Sequence, residues 1–289
     1  MPQRGKAVPD VRSLLAAATD RLAATGIDSA RVDAELLLAA RLGISRTRLI
    51  TLDHVAASVA AQYDDDVTRR VSREPLQHIT GTAPFRNLEL AVGPGVFVPR
   101  PETELLVDAV LPHLTALDKP MVVDLCSGSG ALALAVADEM PAARVLAVES
   151  SAAAGRWLTR NADGTGVRVV IGDVRDPDLL RRWYGQVDAV VCNPPYVPAS
   201  TEVQPEVRAD PAEAVFSGAD GLELLPDIVK RAALLLRGGG VFAVEHDDTQ
   251  GRTVPGLIRA DGRFADIGDH RDLTGRDRYA TARRCGAHR

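Results

Sequence analysis

Apolar positions recur at three- and four-residue intervals through the first quarter of the chain. Leu14, Leu15, Ala18 and Leu22 fall on one helix face, and Leu36, Leu37 and Ala40 repeat the pattern. Gly26 and Gly43 follow these stretches, where a left-handed residue closes a helix. The text from about Val55 to Val71 reads as further helix. No chemistry stands out in it, so the expectation is a small helical bundle that packs on or binds a partner. From Pro75 to Pro101 glycine and proline interrupt the pattern, and the short β-type runs Leu88–Val92 and Val96–Val98 predict a hairpin or extended linker.

Beyond Met121 the period changes again. Near-continuous apolar runs at Met121–Leu125, Arg144–Val148, Val167–Ile171, Asp188–Cys192 and Val241–Glu245 alternate with helical text. Strands of that kind are buried on both faces, so the prediction is an α/β fold with a parallel sheet between helices. The tail adds a strand-like pair, Phe264–Ile267 and Arg278–Ala282.

Charge narrows the function classes. The 289 residues carry a net charge of -5 and a pI near 5.7, which argues against naked nucleic acid as the main partner. Arg271, Arg276, Arg278, Arg283 and Arg284 near the end leave local steering of phosphate open. Three cysteines without a CxxC pair suggest neither a disulfide framework nor zinc. Arg4 and Lys6 precede no apolar run of signal-peptide length, and no stretch approaches the ~20 apolar residues of a membrane span. The expectation is a cytoplasmic protein with no membrane contact and no metal. His78, His246 and His270 lack metal-ligand spacing and are read as packing or hydrogen-bonding residues.

Three features carry chemistry. Val122 to Gly130 runs from a strand through Cys126-Ser127-Gly128-Ser129-Gly130 into a helix at Ala131–Ala137. Glycines let a ligand approach the backbone, and the helix start offers free N–H groups. Alone, the motif is equally a structural turn, and it is not the GxGxxG of dinucleotide binding. Glu149 ends the next strand, in the place where an acid takes ribose hydroxyls in doubly wound sheets. Asp173, ending the third strand, could face an adenine edge, with Val174 packed on the ring. The third feature is Asn193-Pro194-Pro195-Tyr196, directly after an apolar strand. Two prolines stiffen the backbone. The Asn193 amide oxygen and the Pro194 carbonyl can accept hydrogen bonds from an NH2 group, and Tyr196 offers a face for a planar amide or base. An amide nitrogen is a poor nucleophile, and acceptors that grip its hydrogens could align it for in-line attack on a sulfonium methyl. Cys192 beside the motif has no identifiable base and reads as a buried strand residue. Glu102 and Glu104 read as caps of the following helix, or as hydrogen-bonding groups near the cofactor mouth.

Asp-Leu-x-x-Gly-x-Gly followed by Asn-Pro-Pro-Tyr resembles the class I methyltransferases that modify planar NH2 groups. Pro75 to Gly81, Phe85 and Phe97-Val98-Pro99-Arg100-Pro101-Glu102-Thr103-Glu104 are similar to the PrmC/HemK family of release-factor glutamine methyltransferases. So are Gly218 to Leu222, Glu245-His246, Gln250-Gly251 and Asp272 to Arg278. The resemblance covers nearly all of the chain after about residue 70; the helical N-terminus fits in type and place. It implies a class I, Rossmann-like methyltransferase sheet, seven-stranded and mixed, with a small N-terminal helical domain (1–74), a β-hairpin linker (75–101) and a catalytic domain (102–289). It implies S-adenosylmethionine as cofactor, S-adenosylhomocysteine as product, and the Gly-Gly-Gln glutamine of class I peptide-chain release factors as substrate, with the bundle helping to dock the factor. Cys126 to Gly130 would hold the methionine end, Glu149 the ribose, and Asp173 or Val174 the adenine side. Asn193 would touch the cofactor, and Asn193 to Tyr196 would hold the substrate glutamine. Departures are Cys126 in place of a glycine, Glu149 in place of aspartate, and Asp247 where a glycine is usual. The rivals are an adenine-N6 nucleic-acid methyltransferase, a translation-associated binding protein without chemistry, and a nicotinamide-dependent oxidoreductase, the last disfavoured by the missing GxGxxG.

Overall fold

The computed structural model describes residues 9–286, which leaves Arg4 and Lys6 outside the described residues. The chain divides into two compact units. The first comprises the residues up to Thr82 together with a later segment, Gln204–Ala209; the second holds Ala83–Val203 and everything from Asp210 onward.

The first unit contains α1 (Val11–Ala23), α2 (Ala30–Leu42), α3 (Ala57–Val71) and the short α4 (Leu76–Thr80). Asp10 caps α1 by accepting from the Ser13 N–H at 2.8 Å. Gly43 closes α2 in the left-handed conformation at φ 64°, as its position predicts. Gly26 is also left-handed, at φ 74°, but lies two residues beyond the cap residue Ala24. The apolar stripes meet in a core of Leu15, Leu22, Ala34, Leu37, Leu38, Tyr63 and Val67. Tyr63 is buried whole because its hydroxyl finds the Ala34 carbonyl at 3.0 Å. A buried ion network completes this unit. Arg70 Nε donates to Asp33 Oδ2 at 2.8 Å, and Arg70 also donates to Glu206 Oε1 at 2.8 Å. Arg73 forks onto both Glu206 oxygens at 2.7 and 2.8 Å.

A two-stranded ribbon, in the second unit but for its first residue, pairs β1 (Thr82–Phe85) with β2 (Leu88–Ala91). A hairpin therefore stands in the expected region, with one of its two strands different from the expected run. Leu88–Ala91 is a strand, but its partner precedes it, while Val96–Val98 forms no strand and is buried as irregular chain. The main elements follow as α5 (Glu104–Leu114), β3 (Met121–Leu125), α6 (Ala131–Glu139), β4 (Arg144–Glu149), α7 (Ala152–Ala162), β5 (Arg168–Ile171) and β6 (Val187–Cys192). After these come α8 (Ala212–Val215), α9 (Leu225–Leu235), β7 (Leu236–Glu245), α10 (Thr253–Asp261), β8 (Phe264–Arg271) and β9 (Asp277–Arg284).

Among the described residues the main sheet has seven strands in the order β5-β4-β3-β6-β7-β9-β8. β3 to β7 pair in parallel, while β9 runs antiparallel to both β7 and β8. Alternate residues face opposite sides, which explains the continuous apolar text. Val123, Leu125, Leu146, Val148, Val190 and Cys192 pack with α9 and α10. Val122, Val145, Ala147, Ala189 and Val191 pack with α5, α6 and α7. The strand order reverses at β3, between β4 and β6, and a doubly wound sheet opens its ligand crevice at that point, beyond the carboxyl ends of the strands. Among the described residues no helix is long and apolar enough to cross a membrane.

Candidate active site

The predicted residues line up along the carboxyl edge of the sheet. Leu125 pairs with Val148 on one side and with Cys192 on the other, and Glu149 pairs with Ile171. The residues just beyond these, Cys126, Glu149, Asp173 and Asn193, therefore stand on neighbouring strand ends, about 5 Å apart per strand.

The turn after β3 is built around a left-handed start: Cys126 sits at φ 60°, a conformation that costs a residue with a Cβ about 1–2 kcal/mol. The Ser127 N–H donates to the Val148 carbonyl at 2.9 Å, and its hydroxyl donates to the Asp124 carbonyl at 3.0 Å. Gly128 and Gly130 follow at φ 55° and 92°. A Cβ on Gly128 would meet nothing within 4 Å, whereas one on Gly130 would stand 2.7 Å from Leu158. One glycine leaves open space above the turn; the other lets α6 seat against α7. Asn161, which the sequence reading missed, ties this turn to the ribbon: its Nδ2 donates to the carbonyls of Ser129 at 3.0 Å and Ala91 at 2.9 Å.

Two buried acids underlie the turn. Glu149, 8 % exposed, accepts from the Gly128 N–H at 2.8 Å and the Ser151 N–H at 2.7 Å. Burial raises its carboxyl above the ordinary range against those two bonds. Each oxygen keeps a second lone pair for another donor. Asp124 is 1 % exposed, and burial pushes it up to about 8. Its Oδ2 accepts from the Ala133 N–H at 3.2 Å, while Oδ1 is buried without a partner. Open space at Gly128 and spare acceptors on Glu149 fit a ligand carrying hydroxyls, and the N-terminus of α6 favours a negatively charged group on it.

The adenine-side residues are placed differently. Asp173 is gripped by Arg175, whose guanidinium donates at 2.6 Å and holds the carboxyl below its usual range. Val174 is 6 % exposed and belongs to the core, leaving almost none of its surface for a ligand.

On the other side of β3, Asn193 Nδ2 donates to Thr103 Oγ1 at 3.0 Å. The Tyr196 hydroxyl donates to Glu245 Oε1 at 3.0 Å. The Tyr196 carbonyl accepts from Gln250 Nε2 at 3.1 Å, which also donates to Asp220 at 3.2 Å. Gly221, at φ 78°, passes directly beneath that carbonyl. Asp247 anchors this corner, since its N–H donates to Gln250 Oε1 at 3.0 Å. Thr103, Glu245 and Gln250 were legible only as letters of family-like strings, because nothing in their local spacing marks them.

Other readings resolve plainly. Cys192 is fully buried, and burial with the neighbouring Cys126 thiol raises it well above the ordinary range, which removes it as a nucleophile. His246 is held between the Asp247 carbonyl at 2.9 Å and Asp269 at 2.8 Å, and His270 binds Thr281 at 2.7 Å. Among the described residues no acid, cysteine and histidine cluster could hold a metal ion. Glu104 does not cap α5; its carboxylate accepts from the Arg86 N–H at 2.8 Å. The C-terminal arginines are engaged: Arg271 with Asp277, Arg276 with Asp248, Arg278 with Asp272, and Arg283 and Arg284 with backbone carbonyls.

Residues 13–81 fit the model of the PrmC N-terminal domain, and residues 87–214 that of the methyltransferase small domain. A release factor glutamine methyltransferase of Mycolicibacterium smegmatis is 48 % identical over 275 residues, covering 95 % of this chain and 98 % of its own. One of Streptomyces coelicolor is 50 % identical over 277 residues, covering 93 % and 96 %. A 4-amino-L-phenylalanine/4-methylamino-L-phenylalanine methyltransferase of Streptomyces pristinaespiralis is 42 % identical over 270 residues, covering 90 % of each chain.

Proposed function

The chain belongs to the release factor glutamine methyltransferase family, and from that premise we propose that it methylates the side-chain amide nitrogen of the Gly-Gly-Gln glutamine in class I peptide-chain release factors, in the cytoplasm, using S-adenosylmethionine. One observation carries the reading: Asn193-Pro194-Pro195-Tyr196 leaves the sheet beside the glycine turn, because Cys192 pairs with Leu125 at the switch point. Asn193 and Cys126 thereby stand at adjacent strand ends, which supports reading them as an acceptor for an NH2 group beside a turn suited to the methyl donor.

When bound, S-adenosylmethionine supplies a methyl group on a positively charged sulfur and leaves as S-adenosylhomocysteine. The remainder is positioning. Cys126 to Gly130 would hold its methionine end and Glu149 its ribose hydroxyls. Asp173 is the adenine-side candidate once its Arg175 contact is shared; Val174 stays in the core. The Asn193 Oδ1 and the Pro194 carbonyl accept the two N–H groups of the glutamine amide. That draws its lone pair out of conjugation and fixes its direction. The Tyr196 ring, anchored through its hydroxyl to Glu245, gives the amide plane a fixed face. No base acts before transfer, since the proton leaves after the new C–N bond has formed. The helical segment 1–74 would dock the factor, with 75–101 as linker and 102–289 carrying the chemistry.

The test is transfer of labelled methyl from S-adenosylmethionine to a class I release factor, to that factor with the motif glutamine changed to alanine, to 4-amino-L-phenylalanine and to adenine-containing DNA. Label on the unaltered factor alone is the expected result. Label on the amino acid would reassign the substrate to an arylamine, as the S. pristinaespiralis relative is named, and label on DNA would reassign it to adenine.

A further inference from the structure

Resting on that reading of Asn193, we propose that Thr103 and Glu245 are positioning residues: Glu245 claims the Thr103 hydroxyl proton, so that Thr103 can only accept from Asn193 Nδ2, and the Asn193 oxygen is left facing the substrate amide.

An asparagine amide can present either its oxygen or its NH2 to a ligand, and the two choices have opposite consequences for a substrate that is itself an NH2 donor. The partner on the inner side of Asn193 decides between them. That partner is the Thr103 hydroxyl, 3.0 Å from Nδ2 and 3 % exposed. A hydroxyl has one proton and can serve the amide as donor or as acceptor. Beside it lies Glu245, 1 % exposed, whose carboxylate is acceptor-only when ionised. Its Oε1 already takes the Tyr196 hydroxyl at 3.0 Å, and its Oε2 is buried with no hydrogen-bond partner. Cys192 pairs with Val244, so the next residues, Asn193 and Glu245, stand side by side at the strand ends, and Thr103 is held there through Asn193. Donating its proton to Glu245 satisfies that oxygen, whose isolation would be costly, and fixes Thr103 as an acceptor toward Asn193. One carboxylate thus sets both the amide of Asn193 and the ring of Tyr196.

The arrangement has a titration signature. Burial raises Glu245 to about 7, against the lowering effect of Thr103, Tyr196 and Arg278, and Glu102 adds to the rise. Cys192 and Tyr196 are the other titratable groups facing it. When Glu245 is protonated it can donate to Thr103, Thr103 then donates to Asn193 Oδ1, and the amide turns its NH2 toward the substrate. The kcat should therefore rise with pH through about 7 as Glu245 ionises.

The experiment measures kcat, KM for release factor and S-adenosylmethionine affinity from pH 5.5 to 8.5 for the wild-type enzyme, Thr103→Val, Thr103→Ser and Glu245→Gln. The expected result is a kcat for Thr103→Val lower by on the order of 10- to 100-fold, the range for groups that orient a directly acting residue. Cofactor affinity should be unchanged, the rise near pH 7 should be lost, and Thr103→Ser should restore both rate and profile. Glu245→Gln should be slow and flat with pH. Wild-type kcat in Thr103→Val overturns the proposal, as does a Thr103→Val enzyme that keeps the same pH rise. Loss of cofactor affinity, or failure of Thr103→Ser to restore the rate, also overturns it by making the role structural. A wild-type enzyme inactive on release factor at every pH overturns instead the functional reading beneath it.

Discussion

A Cβ on Gly221 would stand 2.0 Å from the carbonyl oxygen of Tyr196. The glycine lies at φ 78°, so it is required both by its own conformation and by the backbone it supports. Gly221→Ala must push the Asn193–Tyr196 turn outward. Because about 1 Å of misplacement costs roughly 100-fold in rate, methyl transfer should fall by about that factor while cofactor affinity holds. Rate and calorimetry on the same preparation decide it, and a normal rate would show that the turn tolerates displacement.

Asn193→Ala removes one of the two acceptors proposed for the amide. Loss of one such preorganised group costs on the order of 100- to 1000-fold in kcat. Cofactor binding should change little, because the glycine turn and Glu149 are untouched. Near-normal turnover would end the assignment of Asn193.

Glu149→Ala strips the Gly128 and Ser151 N–H groups of their acceptor and removes the proposed ribose contact. Cofactor affinity should weaken by about 1–3 kcal/mol, as for a hydrogen bond to a charged group. Calorimetric titration measures it directly, and an unchanged affinity would contradict the role.

Cys126 bears a side chain at φ 60°, where only glycine sits without strain. Cys126→Gly should therefore stabilise the fold by about 1 kcal/mol and leave cofactor affinity intact or improved. Urea unfolding reads the first effect; a loss of stability would mean that packing of the thiol against Cys192 outweighs the strain.

Glu206 gives a pH dependence with a defined sign. Burial alone would raise its pKa, but Arg73 and Arg70 outweigh burial and bring it down to about 2 from an ordinary 4.5. A depressed carboxylate contributes stability above its unfolded pKa and loses it as pH falls through the folded one. The wild-type protein should lose that contribution progressively from pH 4.5 to about 2. Glu206→Gln should lack this part of the acid sensitivity, which unfolding curves at several pH values would show. Identical pH dependence in both proteins would remove Glu206 from the account.

Strand positions were legible because residues such as Val122 and Val123 are both buried, one on each face, and a run of that kind has few alternatives. The Cys126–Gly130 turn and Asn193–Tyr196 were legible because proline and glycine punctuate the backbone independently of context. β1 was not: Thr82–Phe85 contains Pro84 and follows Gly81, and its pairing is set by the turn at Arg86, whose φ of 50° no propensity predicts. Val96 and Val98 look like strand because they are apolar, yet they are buried as irregular chain beside Ala154 and Trp157. Thr103 and Glu245 are 142 residues apart in number. Only the sheet order that sets β6 beside β7 brings Asn193 and Glu245 to neighbouring strand ends.

The helical unit is not finished when its own helices are. Arg70 waits for Glu206, which lies 136 residues further along the chain. At about 5–20 residues per second of synthesis, that is on the order of ten seconds. During that interval the nascent bundle holds Arg70 with only Asp33 to balance it, and Arg73 lacks its carboxylate. Its Glu206 contacts arrive only after the sheet strands up to β6 have been made. Translation order thus makes the first unit to emerge the one whose completion depends on its own late segment, Gln204–Ala209, which is made only after Ala83–Val203.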